Sequence, residues 1–94
     1  MKPIYQTHVA PSYSRHAEVR MQQRCIPSAA VELLLDYAEP TPVGDGALSY
    51  RFTKTSWTDA LTALGSAAPA FLKFRYAYLV ESSDGLVITA AWLQ

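Results

Sequence analysis

Apolar residues recur at two spacings along this chain, and the change from one to the other separates helical from extended segments. Ala17, Met21 and Cys25 stand four apart, the interval that keeps side chains on one face of a helix. Ser14 is a favourable N-cap for that helix. Cys25-Ile26-Pro27 ends it near Arg24, because proline disfavours helical geometry in the residue before it. A second helix starts at Pro27 or Ser28. There Val31, Leu34, Leu35 and Ala38 keep helical spacing until Glu39-Pro40-Thr41-Pro42 stops them.

The period then shortens to two. After the turn signal Gly44-Asp45-Gly46, residues 47–54 alternate, with Leu48, Tyr50 and Phe52 on one side and Ser49, Arg51 and Thr53 on the other. A short third helix interrupts: Ser56 with Asp59 three residues on gives a capped start, Trp57, Leu61 and Leu64 give the stripe, and Gly65 gives the stop. Residues 66–69 lead into a long strand over 71–81, which turns at Ser82-Ser83-Asp84-Gly85 into a last strand over 86–93. The expected fold class is α+β, with amino-terminal helices packed on one side of a small, mainly antiparallel sheet of three to four strands. Residues 1–12 read as an amino-terminal arm in which Ile4, Tyr5 and Val9 form a short edge strand or lie over the core.

Ninety-four residues suffice for one domain with a core and not for two. Eight Lys plus Arg balance eight Asp plus Glu, so net charge gives no argument for a nucleic-acid partner. The distribution does. Lys2, Arg15, Arg20 and Arg24 meet only Glu18 in the first quarter, whereas Glu32, Asp36, Glu39 and Asp45 follow with no Lys or Arg between them. A basic patch on a neutral protein is expected. One cysteine excludes an internal disulfide, and no apolar run at the amino terminus suits a signal or a membrane span, so the expected location is the cytoplasm with no membrane partner.

His16, Arg20 and Arg24 stand four apart, and each step of four drifts only about 40° around a helix, so the imidazole and both guanidinium groups share one face. Histidine side chains titrate near neutrality and serve as general acid or base, while arginines stabilise the extra charge of a pentacoordinate phosphate. The combination suits metal-free cleavage of RNA by its own 2′-hydroxyl, with Arg15 adding to phosphate binding. The plainer alternative is a helix-terminal histidine beside surface arginines paired with Glu18 or with the acidic second helix. No metal or cofactor is expected, since one patterned His and one Cys fall short of a ligand set. Cys25 lies about 13 Å along the helix from His16, too far for that ring to activate it.

Extended over 71–81, the chain would set Leu72, Phe74, Tyr76, Tyr78 and Val80 on one side and Lys73 and Arg75 on the other with Phe71, Ala77 and Leu79. The tyrosine side packs as core or stacks bases. Arg51, Lys73 and Arg75 extend the basic row if their face lies beside His16. The side taken by Thr89 depends on hairpin register: a two- or four-residue loop puts it opposite the tyrosine side, and a three-residue loop with a glycine bulge puts it on the Arg75 side.

The string Ser14-Arg15-His16-Ala17-Glu18-Val19-Arg20-Met21-Gln22-Gln23-Arg24-Cys25-Ile26, followed by a helix with Val31 and Leu34-Leu35, resembles the HA-x-x-R-M-x-x-R-G-I opening of a bacterial family, domain of unknown function 4258. Tyr78-Leu79-Val80 and Val87-Ile88-Thr89 resemble the closing hairpin of that family, whose last strand usually reads V-I-T. These matches span roughly half the chain. The resemblance implies a fold like that of the RelE and ParE toxins and their barnase, EndoU and colicin relatives, many of which cut RNA without a metal beside an antitoxin or immunity partner. It implies His16, Arg20, Arg24 and Thr89 as site residues: the imidazole as acid or base, the arginines as phosphate clamps, Thr89 as a hydrogen-bond donor. Two departures stand out. Cys25 replaces the family glycine, and residues 55–70 read as an inserted helix and linker. Two alternatives accompany the ribonuclease expectation. One is a non-catalytic interaction module, pairing with an antitoxin-like protein or a second copy through the Trp57 helix or an open strand edge; the other is RNA binding without cleavage.

Overall fold

A computed structural model describes residues 11–93, and every statement about structure below concerns those residues. The proposed edge strand at Ile4, Tyr5 and Val9 lies outside them. The chain is α+β. Strand β1 (Ser12–Tyr13) leads into helices α1 (Arg15–Gln23) and α2 (Ser28–Tyr37), then strands β2 (Glu39–Gly44) and β3 (Ala47–Arg51). Helix α3 (Lys54–Leu64) and a run of 3₁₀ turns (Gly65–Tyr76) precede the hairpin of β4 (Ala77–Glu81) and β5 (Leu86–Trp92). The five strands form one sheet in the order β1-β5-β4-β3-β2, antiparallel except for β1, which pairs parallel to β5.

The sheet has five strands where three or four are expected, because β2 uses residues that read as helix-stopping prolines. Pro40 and Pro42 do end α2, and then pair with Tyr50 and Leu48 of β3. Two residues apart, they share one backbone parity on an edge strand, where the N–H each lacks would face the open edge. That arrangement also guards the edge against a further strand. The β2–β3 turn has positive φ at Asp45 (54°) and Gly46 (76°), as a type I′ hairpin requires. Glycine is needed at the second position for space as well, since a Cβ on Gly46 would stand 2.8 Å from the Cβ of Ser83.

A second correction concerns the long strand over 71–81, of which only Ala77–Glu81 is extended. Phe71, Phe74 and Ala77 stand three apart, and burying them together gives the 3₁₀ period; Leu72, Phe74, Tyr76 and Tyr78 fit an alternation of two, and sequence pattern alone could not separate the readings. Lys73 and Arg75 therefore belong to no strand face. Helix α3 begins earlier than the Ser56 cap predicts. Thr53 is its N-cap in a reciprocal capping box: Thr53 N–H donates to Ser56 Oγ at 2.8 Å and Ser56 N–H to Thr53 Oγ1 at 3.1 Å. Gly65 closes the helix with φ 55°, as expected.

One core unites the helices and the sheet. Ala17 of α1 and Val31 and Leu34 of α2 are fully buried together with Leu79 and Ala77 of β4 and Val87 and Ala90 of β5. Burying the valine and leucine side chains among them contributes about 1.5–3 kcal/mol each relative to exposure. The core fixes α1 against β5, the relationship on which the candidate site depends.

Candidate functional site

Ser14 joins the first helix to the last strand. Its side chain accepts the N–H of Ala17 at 3.0 Å, its backbone N–H donates to the Val87 carbonyl at 2.9 Å, and its hydroxyl donates to the Ile88 carbonyl at 3.4 Å. His16, two residues on, is exposed at the start of α1. The Nε of Arg20 donates to His16 Nε2 at 3.3 Å, and Nη1 of Arg20 donates to Gln23 Oε1 at 3.4 Å. Among the described residues no carboxylate pairs with the Arg20 guanidinium. Arg15 sits apart from the pair, 3.9 Å from Glu18 in an exposed ion pair.

Arg24 closes α1, and its carbonyl oxygen accepts the indole N–H of Trp92 at 3.0 Å. The next residue, Cys25, takes φ 56°, in the left-handed region that favours glycine. Ile26 N–H bonds to Met21 O at 2.9 Å and Cys25 N–H to Gln22 O at 3.4 Å, the paired bonds of a Schellman ending. Cys25 therefore keeps the helix end that glycine would make. Its thiol is exposed.

The hairpin register settles Thr89. Thr89 stands opposite Val80, with a bulge between that pair and Glu81↔Val87, so Thr89 shares a sheet face with Val80 and Tyr78 and not with buried Leu79 and Ala90. Arg51 pairs with Tyr78 and lies on the same face. Thr89 directly follows Ile88, whose carbonyl takes the Ser14 hydroxyl, so its backbone lies beside the first turn of α1. His16 and Arg20 thus lie on the helix, and Arg51 and Thr89 on the sheet face turned away from the one that Ala17 of α1 packs against, so the structure does not bring the two pairs together.

Lys73 and Arg75 lie in the 3₁₀ run, where Lys73 Nζ sits 5.4 Å from the Phe74 ring centroid. Arg75 has a structural task that the sequence does not announce. It donates to the Phe52 carbonyl at 3.1 Å and lies over the rings of Trp57 at 5.9 Å and Tyr76 at 5.0 Å. Tyr76 itself is 60 % exposed. Both tryptophans are partly buried against phenylalanines, Trp57 edge-on to Phe52 at 4.9 Å and Trp92 stacked on Phe74 at 5.8 Å.

A shallow pocket of about 500 Å³ opens elsewhere, lined in part by Asp36, Tyr37, Glu39, Tyr50 and Asp59. None of the expected site residues lines it. Burial, with the nearby Glu81 carboxylate and the hydrogen bond Tyr50 donates to it at 3.3 Å, holds the Tyr50 hydroxyl above the usual tyrosine range. Burial also raises Tyr13, with the charge of Glu32 adding to the effect. No cluster of three or more His, Cys, Asp or Glu among the described residues is placed to hold a metal ion, and no described helix is long and apolar enough to cross a membrane. No family model, curated protein or solved structure matches the chain.

Proposed function

We propose that this protein is a metal-independent ribonuclease of the toxin type, with its acid–base group at His16. The observation that carries the reading is the exposed imidazole with the Arg20 guanidinium 3.3 Å away at Nε2 on the same helix. Support also comes from the architecture, two helices ahead of a mainly antiparallel sheet, which is the arrangement the RelE and ParE resemblance implies.

In this mechanism a phosphodiester displaces the Arg20 hydrogen bond and takes the guanidinium for itself, freeing Nε2. The ring accepts the proton of the ribose 2′-hydroxyl as that oxygen attacks phosphorus, and Arg20 and Arg24 stabilise the charge gathered on the phosphorane. The bond to the 5′-oxygen breaks, the imidazolium returns a proton to it, and the products are a 2′,3′-cyclic phosphate and a 5′-hydroxyl. Arg15 draws in the flanking backbone. The chemistry needs a 2′-hydroxyl and no metal.

Purified protein incubated with total RNA in excess chelator tests this. Cleavage leaving cyclic phosphate ends is expected, slowed roughly 10²- to 10⁴-fold by His16→Ala. Intact RNA with the native protein, or equal cleavage by the variant, overturns the proposal. A second reading, a non-catalytic interaction module, draws on Leu72 and Tyr76, which are 53 % and 60 % exposed on the 3₁₀ run. It predicts a stable complex or dimer on a sizing column and no growth arrest on expression.

A further inference from the structure

Residues three and four apart are neighbours on a helix surface, so His16, Arg20 and Gln23 form one row along α1. The row is hydrogen-bonded from end to end. Gln23 Oε1 accepts from Nη1 of Arg20 at 3.4 Å, and Nε of Arg20 donates to His16 Nε2 at 3.3 Å. A guanidinium is a rigid plane of N–H donors, so holding it at two of its nitrogens fixes its orientation as well as its place. Ser14, bonded both to Ala17 and to β5, anchors the helix turn that carries His16.

The direction of the second bond carries chemical information. An arginine N–H can only donate, so Nε2 of His16 is the nitrogen with the lone pair and the ring proton sits on Nδ1. Histidine side chains in water favour the opposite form, with the proton on Nε2. A bare Nε2 is what a general base needs, and the ring is exposed where a substrate can reach it. Glutamine carries no charge. Gln23 therefore orients Arg20 without competing for its cation against an incoming phosphate, as a carboxylate at the same position would.

We propose that Gln23 is a positioning residue that acts through Arg20 to hold neutral His16 in its Nδ1–H form, with Nε2 as the proton-accepting atom. Its part in catalysis rests on the ribonuclease reading, and the test separates the two. Long-range proton–nitrogen correlation spectra of the isotopically labelled protein, without RNA and at alkaline pH where imidazole is neutral, tell which ring nitrogen bears the proton. The signals missing from His16→Asn assign the ring against His8. Wild type is expected to carry the proton mainly on Nδ1. Arg20→Ala shifts the ratio of the two forms toward Nε2–H by about tenfold and Gln23→Ala by about two- to threefold, while Gln23→Glu, which keeps the acceptor, leaves it unchanged. Cleavage of RNA in chelator slows by the same two- to threefold in Gln23→Ala, whereas Gln23→Glu raises KM by competing for the guanidinium. A wild-type ring protonated mainly on Nε2 overturns the proposal, as does a ratio in Gln23→Ala equal to wild type or a Gln23→Glu variant that follows the alanine one. Cleavage by Gln23→Ala at the wild-type rate despite a shifted ratio overturns its part in the reaction. A Gln23-dependent ratio with RNA left intact by wild type removes the nuclease and leaves the hold on the ring. Cleavage with a Gln23-independent ratio does the reverse.

Discussion

The indole N–H of Trp92, in the last strand, donates a 3.0 Å hydrogen bond to the carbonyl oxygen of Arg24 at the end of the first helix. Helix ends carry carbonyl groups without intrahelical partners, so the bond satisfies one of them and ties α1 to β5 at the end opposite Ser14. Trp92→Phe keeps a ring to stack on Phe74 but removes the donor and part of the ring area, and is expected to lower stability by about 0.5–1.5 kcal/mol. Trp92→Ala removes the stack as well and costs about 3 kcal/mol. Urea denaturation of both variants measures the difference, and a Trp92→Phe variant as stable as wild type would show that the indole N–H contributes nothing.

Cys25 adopts φ 56° in a Schellman ending whose hydrogen bonds are intact. A side chain in the left-handed region costs about 1 kcal/mol relative to glycine, so Cys25→Gly is expected to stabilise the protein by somewhat less than that, glycine also being freer in the unfolded chain. For a domain of this size each 1 kcal/mol raises Tm by about 4–8 °C. Cys25→Val, β-branched and worse in this conformation, is expected to lower it. A thermal scan in which the glycine variant melts below wild type would show that the thiol makes a compensating contact.

Elements whose local chemistry is unambiguous were legible in the sequence. Ser14 caps α1, Pro27 separates the first two helices, Gly65 ends the third and the Ser82 to Gly85 turn joins the final hairpin, each set by one residue's conformational preference. The misreadings arose where two principles competed. Phe71, Phe74 and Ala77 fit a period of three while Leu72, Phe74, Tyr76 and Tyr78 fit a period of two, and only the packed core chose between them. Pro40 and Pro42 stop a helix and also sit on an edge strand, a dual use invisible until the partner strand is known. The His16 and Arg20 pair followed from helical spacing. The Arg75 clamp did not, because its partners Phe52, Trp57 and Tyr76 meet only in three dimensions.

Arg75 bonds a backbone carbonyl while facing two aromatic rings, a geometry that needs a planar guanidinium. Lysine carries the same charge as a compact point and cannot lie flat between the rings. Arg75→Lys is therefore expected to cost about 1–2 kcal/mol in denaturant unfolding, close to the loss from Arg75→Met. If the lysine variant matches wild type, charge alone suffices at this position.

Two partly buried tyrosines give the alkaline limb of the stability curve its shape. Burial is the larger cause raising both Tyr13 and Tyr50, with Glu32 and Glu81 adding to it. In the unfolded chain both phenols ionise near pH 10, while in the folded protein they hold their protons to higher pH. The folded state thus binds more protons above pH 10, and stability falls as pH rises from about 10 through the folded values, with no contribution from these groups below that window. Tyr13 adds a second expectation, since its hydroxyl is buried with no hydrogen-bond partner. Tyr13→Phe removes an unsatisfied group and is expected to hold or raise stability at neutral pH by up to about 1 kcal/mol. The same variant flattens the loss above about pH 10. Urea midpoints at pH 7 and across that alkaline window, for wild type and Tyr13→Phe, decide the matter; a variant that is weaker at pH 7 shows that the hydroxyl has a partner in solution.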